Sequence, residues 1–498
     1  MIRRVRGWND RTAPDTSIVA DASMPRLSFS RRQFVHTLAA TGGAVVTGAF
    51  AACTRDTSGH SHAMPTEPNL ARGAVARTPL RFPPTVGPTG LELTAAPGTT
   101  TIIPGKSTSA WMYNTQFPAP TIVALSGGRV TATFRNRLPQ TSIIHWHGIL
   151  ADPANDGHPR QVVSSGEQRP YDFTIDQRAA LNWYHPHPHM MTGEQVYRGL
   201  AGAFIVRDAI DTGLPGNALG LPVGAYEIPL IIRDVSLDSG GNFQFSNKSS
   251  GFWGNTPLVN GTFNPYFSVN RGVYRLRLLN GCNARVLRLA LTNGATFTLV
   301  GNDGGLLDKT YVLSEITAAP GERFDILVDF GGLTAGATVM LRDLDAKWDI
   351  LEFRGTGEPG AGTLLSGTLS SITPLSAPVR DRRFTFDGMT RINGKLYEID
   401  AVEFTVPFGD TERWTFVTNG NGPHPVHVHG AAFQVQTRIG GRGRVFDWER
   451  GWKDTVLVND GETVEVLVRF SAHRGLYIMH CHQLAHEDAG MMANFEVV

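Results

Sequence analysis

From about residue 75 onward, apolar and polar positions alternate over short runs: RVTATF at 129–134, YRLRLL at 274–279, FDILVDF at 324–330 and VEVLVRF at 464–470. In an extended chain successive side chains point to opposite faces, so each run reads as a strand with at least one face in a core. Gly- and Pro-rich turn signals separate the runs, and apolar positions at helical spacing are scarce. The chain is therefore expected to be all-β and built from sandwiches. No apolar run reaches the roughly 18 residues that a membrane-spanning helix needs.

The runs repeat. GEQRPYDFTI begins at Gly166 and leads to His185 nineteen residues on; GETVEVLVRF begins at Gly461 and leads to His480 at the same distance. A third copy, GERFDILVDF from Gly321, leads to Met340 instead. A second family of offsets agrees: His145 stands eighteen residues after Gly127, His427 eighteen after Gly409, and Ala290 eighteen after Gly272. Three related β domains follow, at 75–210, 211–376 and 377–498, of which the outer two keep histidines. The 234 residues between His189 and His424 contain none, although the chain has 16. The outer domains are expected to share one site.

Four clusters carry the candidate chemistry: IIHWHG (143–148), WYHPHPH (183–189), HPVHVHG (424–430) and HCHQLAH (480–486). On a strand, H-x-H puts both imidazoles on one face. The pairs are His145/His147, His185/His187, His427/His429 and His480/His482. One such pair is ordinary in a β protein, but four, matched by repeat offset and missing from the middle copy, read as metal ligands. In HCH the same alternation turns Cys481 away from His480 and His482, toward a different metal. His424, His486 and Met491 supply the remaining ligands, and one thiolate, two imidazoles and a weak thioether make a blue-copper electron-transfer set. Zinc favours more thiolates or a closed tetrahedron without a thioether.

These four motifs resemble those of the multicopper oxidases, in particular the three-domain bacterial laccase-like members, over nearly all of the chain after residue 75. The resemblance implies three cupredoxin-like Greek-key β-sandwich domains and four coppers per chain. It makes His424, Cys481, His486 and Met491 the ligands of a type 1 copper, His145 and His427 those of a type 2 copper, and His147, His185, His187, His429, His480 and His482 those of a type 3 pair. It further implies one-electron oxidation of a small-molecule or metal-ion donor at the type 1 site, coupled to reduction of dioxygen to water. Asp156, nine residues after His147, and Glu487, directly after His486, match acidic positions that serve as proton relays in such oxidases. An Asp-Gly turn is the bland alternative for Asp156. Support of His486 is the bland alternative for Glu487 and Asp488.

Other prominent residues take modest roles. His189 is expected near the cluster or on the surface, His158 and His473 in solvent, Met190 and Met191 in packing, and Cys282 as a small buried apolar residue. An axial Met491 suits a low-to-middle potential and easily oxidised donors such as electron-rich phenols. A cuprous-ion oxidase is the alternative. It commonly adds a methionine-rich insertion to the last domain, which here holds only Met389, Met479, Met491 and Met492. Non-catalytic copper-binding or cell-envelope scaffold relatives are a third reading, and scaffold relatives typically lose ligands.

Charge and the N-terminus change the picture last. A formal net charge of +1 gives no reason to expect nucleic acid as a partner. SFSRRQFVHTLAATGGAVVTGAFAAC (28–53) pairs Arg31 and Arg32 ahead of a weakly apolar, small-residue stretch, the pattern of a twin-arginine export signal for folded proteins. Residues 1–53 are read as that signal region, with Met24 as an alternative start, and 54–74 as a flexible linker holding His60 and His62. FAAC reads either as the end of a cleaved leader or as an imperfect lipidation box acylated at Cys53. Export would place the protein in the periplasm, the cell envelope or the extracellular space.

Overall fold

Gly166, Gly321 and Gly461, which open the three repeated runs, share positive φ values of 89°, 87° and 68°. Each is followed two residues later by a strand: Gln168–Thr174, Arg323–Asp329 and Thr463–Arg469. A left-handed residue is cheapest as glycine, so the sequence repeat marks a backbone requirement. The computed structural model describes residues 76–498 except 247, 419 and 421; the twin-arginine segment, the linker and Cys53 lie outside the described residues.

Each of these strands belongs to a three-stranded unit built three times. Leu91–Thr100 runs parallel to Arg129–Asn136, which is antiparallel to Gln168–Thr174. Glu227–Val235, Val273–Asn280 and Arg323–Asp329 repeat the arrangement, as do Arg380–Asp387, Thr411–Thr418 and Thr463–Arg469. A second sheet completes each sandwich, giving sheets of five and four strands, six and seven, and six and five in chain order. Thr78–Pro79 pairs with Pro265–Tyr266, so the first described strand joins a sheet of the middle sandwich. The fold is thus all-β, three cupredoxin-like sandwiches in succession.

Separate cores hold the sandwiches: Leu93, Phe134 and Trp146 in the first, Leu276, Ile326 and Phe353 in the middle one, and Val426, Phe433 and Phe495 in the last. Each large apolar side chain so buried contributes about 1.5–3 kcal/mol. Cys282 lies in the middle core as an unpaired thiol, as expected of a small apolar residue. Two short helices interrupt the β architecture, α1 at Thr192–Arg198 and α2 at Leu484–Asp488. Backbone N–H groups of Thr192 and Gly193 donate to the Asp488 carboxylate (2.8 and 2.9 Å), tying α1 to α2.

Register places the histidines. His145 stands opposite His185 where Ile144–His145 pairs with Ala180–Pro186, and His427 stands opposite His480 where His424–Val428 pairs with Gly475–Cys481. In the middle sandwich Ala290 stands opposite Arg342.

Candidate metal centre

All eight histidines of the four H-x-H pairs are buried. Burial pushes each imidazole below its ordinary value, to about 4 for His480 and about 3 for His185, so the rings are neutral at pH 7. A neutral ring carries one N–H, and its neighbours decide on which nitrogen. Nδ1 of His145, His185, His427 and His480 lies 2.8, 2.8, 2.9 and 3.1 Å from the main-chain carbonyls of Asp156, Pro186, Asp454 and Cys481. A carbonyl only accepts, so Nδ1 is the donor and Nε2 is left as a bare lone pair. His429 donates through Nδ1 to Asp156 Oδ2 (2.8 Å), which fixes it the same way.

Those lone pairs converge. Nε2 of His480 lies 3.2 Å from Nε2 of both His187 and His429, and Nε2 of His145 lies 3.4 Å from Nε2 of His427. Two nitrogens bound at about 2.0–2.1 Å to one metal at near-tetrahedral angles stand about 3.3 Å apart. Other ring nitrogens are buried without partners: Nε2 of His185, Nδ1 of His147 and both nitrogens of His482. An unsatisfied buried polar atom costs about 1–3 kcal/mol, which cations would offset. The donor set fits metal ions.

The repeat organises the cluster further. Exchanging the first and third sandwiches swaps His145 with His427, His147 with His429, His185 with His480 and His187 with His482. Stacking obeys this exchange: His145 stacks on His429 and His147 on His427, both at 3.8 Å between ring centres. The exchange turns the trio His187, His429, His480 into His482, His147, His185. Ring centres in the first trio lie 5.1, 4.8 and 5.3 Å apart, and in the second 4.9, 5.4 and 5.7 Å. His145 and His427 exchange with each other. Two three-histidine groups and one two-histidine group follow from the pseudo-symmetry.

A separate group forms where Cys481 turns away from its neighbours. Its Sγ lies 3.5 Å from Nδ1 of both His424 and His486, and those two nitrogens are 3.2 Å apart. Met491, fully buried, lies in the same core cluster as Cys481. Burial pushes the Cys481 thiol far above its ordinary value. A metal bound here would displace the thiol proton and depress the pKa again.

Both expected acids reach the imidazoles. Asp156 Oδ1 has no partner and lies 3.7 Å from His145 Nδ1. Glu487 does not support its neighbour His486: its Oε2 stands 3.2 Å from His480 Nδ1 and its Oε1 3.5 Å from His187 Nδ1. Asp488 caps α1 rather than touching His486. Burial raises both Asp156 and Glu487 well above the usual carboxylate range.

Three other expectations are corrected. His158 is buried, with Nε2 2.9 Å from Asn494 Oδ1. Met190 is 62% exposed and so does not pack, and its φ is +67°. His473 is only half-buried, while His189 packs edge-on against Tyr397 outside the ring cluster.

Sequence reasoning missed Asp454. Its Oδ1 lies 3.1 Å from His147 Nε2, and its carbonyl accepts from His427 Nδ1. The signal available was a charged Lys-Asp pair at 453–454, directly before the apolar run TVLV. A cavity of about 340 Å3 leads from the exposed Arg469 and Ser471 inward to His145, His427 and His429.

Two family models, both described as multicopper oxidase, match residues 94–210 and 372–498. The chain is 32% identical over 413 residues to the multicopper oxidase mco of Staphylococcus aureus, spanning 81% of this chain and 88% of that protein. It is 34% identical over 463 residues to the cell division protein FtsP of Photorhabdus laumondii, spanning 89% and 92%. The crystal structure of the McoA multicopper oxidase from Aquifex aeolicus superposes with a TM-score of 0.80 at 38% identity, over 85% of this chain and all of that one. With the converging imidazoles and the thiolate set in place, these likenesses establish that the chain belongs to the multicopper oxidase family, whose members use copper and take dioxygen as electron acceptor.

Proposed function

We propose that the protein is a laccase-like oxidase that takes single electrons from phenolic or similar donors and reduces dioxygen to two waters. The observation that carries this reading is the completeness of the ligand set: His424 and His486 converge on Cys481 with Met491 buried in the same core cluster, and eight neutral imidazoles converge in the pseudo-symmetric cluster. His424, Cys481, His486 and Met491 would hold a type 1 copper, His145 and His427 a type 2 copper, and the two trios a type 3 pair. When bound, copper supplies one-electron acceptance at the first set and four-electron reduction of dioxygen at the second.

The chain's own part is positioning and proton supply. Cys481 shares peptide bonds with His480 and His482, so the donor-side ligands are covalently continuous with the oxygen-side ligands. Main-chain carbonyls lock four imidazoles with Nε2 inward, so little reorganisation is needed on binding. The cavity ending at His145 and His427 offers dioxygen a way in and water a way out. Two waters require four protons. Asp156 Oδ1 and the two Glu487 oxygens are buried and within 3.7 Å of ring nitrogens, so both side chains can hold a proton there.

Met491 and the absence of a methionine-rich insertion favour organic donors over cuprous ion. The twin-arginine segment supports export to the periplasm or cell envelope. Likeness to the cell division protein FtsP favours a second reading, a role in cell division rather than oxidation, but a non-catalytic scaffold has no need of twelve intact ligand positions. Metal analysis with oxygen uptake on a phenol, cuprous ion and manganous ion separates them. About four coppers and phenol-driven uptake are expected from the family resemblance; fewer than about three coppers, or no uptake, sinks the oxidase reading. Cys481→Ser is expected to lose the blue absorption and donor oxidation while keeping the remaining copper. Retained donor oxidation would contradict the assigned route.

A further inference from the structure

The middle sandwich contributes no ligand, yet its repeated turn Gly321-Glu322-Arg323 lies directly against the histidines. A Cβ on Gly321 would stand 3.1 Å from His482 Cδ2 and 3.2 Å from His147 Cε1. Arg323 is fully buried. Its fork donates from both terminal nitrogens to the two oxygens of Asp454, each at 2.6 Å, and Nε donates to the Leu181 carbonyl at 3.0 Å. The residues at the same repeat position, Gln168 and Thr463, are exposed and half-buried. Only the middle copy turns this position inward.

Asp454 in turn decides the tautomer of His147. Five other imidazoles direct Nδ1–H to an oxygen and present Nε2. His147 is reversed: Nε2 faces Asp454 Oδ1 at 3.1 Å and Thr455 Oγ1 at 3.3 Å, and Nδ1 is left without a partner. The Thr455 hydroxyl donates to Asp454 Oδ1 at 2.9 Å, so it accepts rather than donates at His147. With both its oxygens committed to Arg323, Asp454 acts as a hydrogen-bond acceptor. Released from the fork, it would lie beside His147 and His427 as a competing carboxylate ligand, since all three ligand atoms fall within 4.8 Å of one another.

We infer that Arg323 is a positioning residue for the metal centre: from the ligand-free middle sandwich, it holds Asp454 so that His147 presents Nδ1, and keeps that carboxylate off the metal. The inference rests on the proposed copper sites. Loss of such a supporting contact lowers metal affinity about 10–100-fold. The test compares wild type, Arg323→Lys, Arg323→Gln and the double variant Arg323→Gln/Asp454→Asn, each purified with copper. Copper per chain, the blue band, the near-ultraviolet absorption of the coupled pair and the paramagnetic share of the copper are measured.

Arg323→Lys keeps a buried cation but not the fork, so it is the variant expected to fold. It should keep the blue band, lose near-ultraviolet absorption and show a larger paramagnetic share. Arg323→Gln should show the same change more strongly and bind less copper. The double variant removes the competing carboxylate, so it should regain thermal stability but not the wild-type spectrum. Wild-type spectra and copper content in Arg323→Lys would overturn the inference, as would a drop in stability alone in the other variants. Wild type binding fewer than about three coppers would instead overturn the functional reading beneath it.

Discussion

His158 shows what one buried imidazole does away from the metal centre. It caps the 3-10 turn Pro159–Gln161, accepting from the Arg160 N–H through Nδ1 at 3.1 Å and donating through Nε2 to Asn494 on the last strand. Both nitrogens are satisfied only in the neutral ring, and burial lowers its pKa to about 4. A histidine whose folded pKa lies below its unfolded value of about 6.5 contributes fully above that value, and loses its contribution as pH falls toward the folded one. Between about pH 6.5 and 4 the protein should therefore lose about 3 kcal/mol through this residue. His158→Gln, which keeps a donor and an acceptor but cannot titrate, should flatten the dependence of Tm on pH across that window. Equal slopes for the two proteins would show that His158 does not titrate there. The sequence gives no hint of this burial, because the partner Asn494 is 336 residues away.

Among the elements, the strands were legible and the helices were not. Repeat offsets survive in sequence because the left-handed glycine turns and the strand lengths between them are fixed by backbone geometry, so His145, His185, His427 and His480 could be matched before any contact was known. At seven and five residues, α1 and α2 are too short to show a helical period. Glu487 illustrates the consequence: neighbouring helix residues point about 100° apart, so it faces His187 and His480 instead of supporting His486. The α1–α2 clamp is equally invisible, since Asp488 caps a helix 296 residues earlier. Asp488→Ala would leave two buried N–H groups unsatisfied, at about 1–3 kcal/mol each. The expected result is a Tm lower by several degrees, with copper content unchanged and a changed KM for the donor, because α1 packs against the helix that carries His486. An unchanged Tm would show that α1 does not depend on the cap.

For the molecule as a whole, alternation set a minimum of one buried face per strand, and the Val273–Asn280 strand of the middle sandwich is buried on both. YRLRLL directs Leu276 and Leu278 into the core, while Arg275 and Arg277 on the other face are fully buried. That second face meets the first sandwich. Arg207, at the end of the Gly202–Arg207 strand, forks onto Glu227 at 2.8 and 2.7 Å and reaches Asp211 at 3.1 Å. Arg275 binds Asp211 at 2.7 Å, and Arg277 binds Asp325 at 2.8 and 3.0 Å. A buried ion pair adds little over an apolar contact, but removing one member leaves a buried charge and costs about 3–5 kcal/mol. Burial acts to raise the Asp211 and Asp325 carboxyls, and Arg275 and Arg277 outweigh it, so both lie below their ordinary value. Depressed carboxylates contribute stability that is complete above their unfolded value of about 3.9 and is lost as pH falls below it. Acid should therefore loosen the junction of the first and middle sandwiches. Asp211→Asn should lower Tm at neutral pH and weaken its further fall below about pH 4, because one of the titrating groups is gone. Calorimetry of both proteins from neutral pH into acid decides it: parallel curves would mean that Asp211 is not the group whose protonation opens the junction.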